Sequence, residues 1–157
     1  MRSWYHRISR DPNDFETVYS AIEYFDQQYQ EARVEADRLN GKRLIEVQTM
    51  LPGIVGYRYE QMKELESISA WLEIREDAAL GIRRRHYAEH YNRALSDRMI
   101  EKYAEADSEV IALRELRSHV AAICRKYDAL SRQHEWLHWQ LTNITKLRVA
   151  GMEDAIL

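Results

Sequence analysis

The sequence predicts an all-α protein of few, long helices, with a C-terminal heptad, coiled-coil-like helix that mediates oligomerisation. Three observations carry that expectation. Turn-forming residues are scarce, with only 5 Gly and 2 Pro in 157 residues. Apolar residues recur at alternating steps of three and four, the spacing that places them on one helix face. The last third of the chain sustains that spacing over about five heptads, which is the pattern of a helix that seeks partner helices.

Each element follows from local chemistry. Asp11-Pro12-Asn13-Asp14 offers capping side chains and acidic groups to a helix start, where free N–H groups and the positive end of the dipole favour them. A helix therefore begins near Asn13, with apolar positions Val18, Ile22, Phe25, Tyr29, Ala32, Ala36 and Leu39, and Asn40-Gly41 supplies its stop. Residues 42–50 fit two readings, because Ile45, Val47, Thr49 and Leu51 alternate as in a strand while Leu44 and Gln48 also suit a helix; helix is preferred.

Leu51-Pro52-Gly53 marks a break, and proline in a first turn loses only a donor that would be unpaired there. The second long helix is expected from Pro52 to Asn92, with a stripe of Val55, Tyr59, Met62, Leu65, Ile68, Leu72, Ala79 and Ile82 and a weak point at Gly81. Ala94-Leu95-Ser96-Asp97 reads as a turn with a new cap and a short helix to about Ala106, after which Asp107-Ser108 caps the last element. Its seam runs Leu113, Leu116, Val120, Ile123, Tyr127, Leu130, His134, Leu137, Leu141, Ile144 and Arg148, with only His134 and Arg148 polar, and ends at Ala150-Gly151. A chain this short can cover part of that face itself, but so regular a repeat leads us to expect parallel neighbours from other copies of the chain.

Composition narrows the function. A net charge of −3 argues against coating nucleic acid by bulk positive charge, so any such site must be local. Charge is spread evenly except at Arg83-Arg84-Arg85-His86, a basic run flanked by Tyr87 and Tyr91. Arginines there could hold phosphates and the tyrosines could stack on unpaired bases, with Arg93 a further contact. Cations near a helix C-terminus also have a purely structural reason, so a solvated helix end paired with Glu76, Asp77 or Glu89 is the competing reading. No run of about 18 apolar residues is present, and the first residues lack the apolar core of a signal peptide, so no membrane span and an intracellular address are expected. The single Cys124 reads as a packing residue.

Two metal-protease patterns occur, His134-Glu135-Trp136-Leu137-His138 and the inverted His86-Tyr87-Ala88-Glu89-His90. After His138 the only acidic candidates for a third ligand are Glu153 and Asp154, at the end of the chain, and His134 occupies a seam position. A register-setting polar residue is the simpler reading. Trp71, Trp136 and Trp139 read as core or interface anchors. With no Gly-rich phosphate loop and no nucleophile elbow, neither catalysis nor a cofactor or metal is expected.

The stretch from about Leu51 to Ala155 resembles the UvsY family of phage recombination mediator proteins. The likeness is carried by Ala104-Glu105-Ala106-Asp107 leading into a long apolar helix that closes with Trp139, Ile144, Leu147-Arg148 and Ala150-Gly151. The segment from Ala79-Leu80 to Arg83 and Tyr87 resembles that family's basic, DNA-contacting region. Gly81 departs from it, standing where the family favours lysine, and Asn92-Arg93-Ala94-Leu95 replaces a Gly-containing basic loop. The resemblance implies a homo-oligomeric ring in the host cytoplasm that binds single-stranded DNA, displaces single-strand-binding protein and loads a RecA-like recombinase. It divides the chain into an N-terminal helical extension, 1–50, and a DNA-binding and oligomerisation region, 51–157. The rival expectation is a non-catalytic structural or adaptor protein, such as a virion or scaffold component, with the same seam and a basic run that is only a helix end.

Overall fold

The computed structural model describes residues 3–11, 14–37, 42–91 and 95–151. Its described elements are all helices: α1 (Trp4–Arg10), α2 (Phe15–Asp37), α3 (Leu44–His90), α4 (Asp97–Glu105) and α5 (Ser108–Val149). At 1.5 Å per residue, α3 and α5 are rods of about 70 and about 63 Å.

Side-chain partners give the topology. Gln48 meets Thr145, Met62 meets Ser131, and Glu76 meets Arg114, so α3 and α5 run antiparallel. On α2, Gln28 and Glu35 meet Gln61 and Arg58 of α3, while Asp26 meets Lys126 of α5. Helix α2 therefore lies parallel to α5 and antiparallel to α3, as the third member of a bundle.

Helix starts follow the expected chemistry. Asp14 accepts the Thr17 backbone N–H at 3.2 Å and also its hydroxyl, and these two bonds hold its carboxyl below the usual carboxylate range. Asp107 accepts the Glu109 N–H at 3.0 Å and caps α5. At the other end Gly151 takes φ +71°, a left-handed position that favours glycine and terminates the helix. Asn13, Leu39 and the Asn40-Gly41 stop lie outside the described residues.

Helix α3 corrects one expectation. It begins at Leu44 and carries Pro52 in its interior instead of starting there. A proline removes one backbone bond, but Val47 and Leu51 are buried against Leu141, and the Gln48 amide donates to Thr145 Oγ1 at 3.0 Å. Tertiary packing on both sides of the proline holds the helix through it. Helix α1 is not among the helices the sequence predicts: Ile8 is wholly buried, Trp4 packs on Tyr24 with centroids 5.5 Å apart, and Glu64 of α3 accepts bonds from the Ser3 hydroxyl and the Tyr5 N–H.

The core bears on two further expectations. Ile8, Val18, Ala21 and Phe25 share one apolar cluster with Leu65, Ile68 and Leu72 of α3 and with Val110 through Tyr127 of α5. The packing shows no division at residue 50, since the first two helices complete the main core. The heptad positions Leu113, Leu116, Val120, Ile123, Tyr127 and Leu130 are each at most 4 % exposed within one chain, covered by its own helices. The seam expected to meet other copies is thus filled intramolecularly, because the antiparallel α3 supplies the facing knobs and α2 closes the side. Only its C-terminal part is open: Leu137 is half-buried, Ile144 is 42 % exposed and Arg148 is exposed. In α3, Tyr59 and Ile82 of the expected stripe face outward, and Arg58, Gln61 and Glu76, absent from that stripe, are buried. Cys124 is half-buried against the core, and burial pushes its thiol up.

Polar groups of α2, α3 and α5 meet beside residues 25–35 of α2. Arg58 donates to Gln61 at 2.9 Å, to Gln28 at 3.3 Å and to Glu35 at 3.0 Å, and the Tyr127 hydroxyl donates to the Phe25 carbonyl at 3.1 Å. His134 is buried beside this cluster. Burial, together with the Arg58 charge, lowers its pKa below the ordinary 6.5, against the opposing pull of Glu35. Folded His134 therefore binds a proton less readily than the unfolded chain does, so its contribution to stability is complete above pH 6.5 and declines as pH falls through that value towards the lower folded pKa. Denaturant unfolding at a series of pH values checks this. The difference between wild type and His134→Leu is expected to shrink or reverse below pH 6.5, and a difference constant across that range contradicts the assignment.

Candidate nucleic-acid interface

The basic run lies on the last turns of α3, where α4 folds back against it. Arg83 pairs with Asp107 at 3.2 Å and with Glu109 at 2.9 Å, so the residue that caps α5 also ties α3 to it. Arg84 grips both carboxylate oxygens of Glu101 on α4, Nε at 2.6 Å to one of them. That contact holds the Glu101 carboxyl below its usual range. Arg85 is exposed and makes no ion pair with a described residue. His86 and His90 are exposed and stacked, with centroids 5.2 Å apart and planes 15° from parallel. Arg93 lies outside the described residues.

The aromatic partners differ from expectation. Tyr87 and Tyr91 were expected to stand free for bases, but Tyr103 of α4 stacks on Tyr91 at 5.8 Å and packs on Tyr87 at 5.7 Å. The reason is spacing: Tyr87 and Tyr91 are one turn apart on α3, and α4 lays its own ring over both. Glu76, one expected partner of the run, instead lies buried between Arg114 at 2.9 Å and Arg117 at 3.2 Å. The acids of α4 and α5 that neutralise the run are far from it in sequence, so composition alone did not mark them.

The opposite end of the α3/α5 pair is apolar and open. Leu51, Pro52, Val55, Gly56, Tyr59 and Leu141 line a groove of about 770 Å³, with His134, Glu135 and His138 on its wall. Beyond the adjoining backbone of its own helix, nothing lies within 4 Å of where a Cβ on Gly56 would sit. Trp136 and Trp139, expected as anchors, are 63 % and 61 % exposed and pack on each other at 5.8 Å, whereas Trp71 does pack against the core. His134 and His138 share this groove, yet no group of three or more His, Cys, Asp or Glu among the described residues is placed to hold a metal. No helix among the described residues is long and apolar enough to cross a membrane.

No protein-family model matches the chain, and no curated protein and no solved structure matches it. The fold and its two contrasting ends therefore carry the functional reading.

Proposed function

We propose that this protein is a non-catalytic recombination mediator that binds single-stranded DNA at the α3/α4 end and helps load a RecA-like recombinase in place of single-strand-binding protein. The observation that carries the reading is the exposed strip of Arg84, Arg85, His86, His90 and Tyr91 within two turns of α3. Surface ion pairs in water are weak, so Arg84 can exchange a carboxylate for a phosphate at little cost, while each phosphate neutralised releases counterions. Such work belongs in the cytoplasm, that of the host if the chain is phage-encoded.

Labelled single-stranded DNA tests the proposal by fluorescence anisotropy. Binding at about micromolar protein, weakening steeply between about 50 and about 200 mM salt, is the expected result. Absence of binding under these conditions favours the second reading, a helical structural or adaptor protein. That reading is supported by the pairing of Arg83 and Arg84 with acids of the same chain, which makes the run a tie between helices.

Mediation by avidity needs several copies of the strip, so the proposal includes homo-oligomerisation, as a ring, through the open apolar end. Contiguous exposed aromatic surface of this kind marks an association site. Trp136→Ser with Trp139→Ser is expected to lower the mass measured by light scattering to that of a single chain with helix content unchanged. A wild-type chain that is monomeric at high concentration contradicts the assembly.

A further inference from the structure

We propose that α4 is an acidic cover over the DNA-binding strip and that single-stranded DNA binds by displacing it. The inference rests on the DNA reading above and adds how that site is regulated. Glu101 presents its carboxylate to the Arg84 guanidinium through two contacts, the geometry in which arginine holds a phosphate. Two residues on, Tyr103 lays its ring on Tyr91 with planes 24° apart, the arrangement in which a base would lie. Asp107 and Glu109 extend the row of anions along Arg83. Carboxylates therefore stand where phosphates would, and a phenol stands where a base would.

Little of the cover is buried. Helix α4 has 9 residues, no side-chain bond at its N-cap and Ala104 as its one buried residue. Its attachment to α3 includes the Arg84 pair, which is about half exposed, and the tyrosine stack. Short segments with few buried contacts open at low free-energy cost. Opening α4 would free Arg84, Tyr87 and Tyr91 together, so DNA affinity in the intact protein is set by competition with its own acids.

The consequence is a gain of function on removing a partner of the arginines. With a labelled oligothymidylate and anisotropy as the readout, Glu101→Gln is expected to bind about threefold tighter than wild type, and Glu101→Gln with Glu109→Gln about tenfold tighter. Glu105→Gln makes the same charge change on the same helix without breaking a hydrogen bond to an arginine; Glu105 acts on Arg84 only through space, so its gain is expected to be smaller than that of Glu101→Gln. Circular dichroism should show equal helix content in all four proteins. Wild-type affinity in Glu101→Gln overturns the inference while leaving the DNA reading intact, as does an equal gain in Glu105→Gln, which would reduce the effect to net charge. Failure of every protein to bind overturns both.

Discussion

Tyr127→Ala is expected to remove about 3–5 kcal/mol of stability, the usual cost of truncating a large buried aromatic ring. For a chain of this size that corresponds to a fall in Tm of about 10 °C. Tyr127 is 1 % exposed, lies edge-on to Phe25 with centroids 6.3 Å apart, packs on Tyr29 at 6.2 Å, and donates its hydroxyl to the Phe25 carbonyl. Burial pushes its phenol well above the ordinary range, so it is a neutral donor at every pH of interest. Tyr127→Phe keeps the ring and loses the bond, and is expected to cost about 1 kcal/mol. Guanidinium unfolding followed by circular dichroism measures both. The experiment also tests which chain fills the seam. If α2 and α3 of the same chain cover Tyr127, the loss is independent of protein concentration; a loss that vanishes on dilution would mean that another copy supplies the contacts.

Arg84→Ala with Arg85→Ala is expected to weaken single-stranded DNA binding by about tenfold or more at about 50 mM salt. The slope of log affinity against log salt should become shallower by about 1.4, since each single-strand phosphate contact contributes about 0.7. Both side chains are exposed, so stability should change little. Arg114→Ala with Arg117→Ala is the comparison, because those arginines serve buried Glu76 and lie away from the strip. An unchanged salt slope in the Arg84 and Arg85 variant, or an equal change in the Arg114 and Arg117 variant, would remove the basic run from the binding site. The strip then reverts to a tie between helices, and the adaptor reading takes precedence.

The sequence by itself determined α2, α3, α4 and α5, and where α2, α4 and α5 begin. Val18, Phe25, Leu65, Ile68, Leu72 and the heptad from Leu113 to Leu130 are buried as their spacing required, and Asp14 and Asp107 cap as their side chains allow. These are local properties, set by a 3.6-residue period and by a carboxylate within reach of an N–H. Tertiary structure alone decided what each face meets. A heptad states that a helix wants a neighbour and is silent on whether that neighbour comes from the same chain, so the seam could not reveal that α2 and α3 would fill it. Pro52 is a helix-breaking signal locally, and only the contacts of Val47 and Leu51 with Leu141 explain why α3 runs through it. The basic run was legible as a run, but its partners Glu101, Asp107 and Glu109 and the cover of Tyr103 come from the reversal of the chain into α4 and α5. Charge in a sequence is additive along the chain, whereas the field at a site depends on what the fold brings within a few ångströms of it.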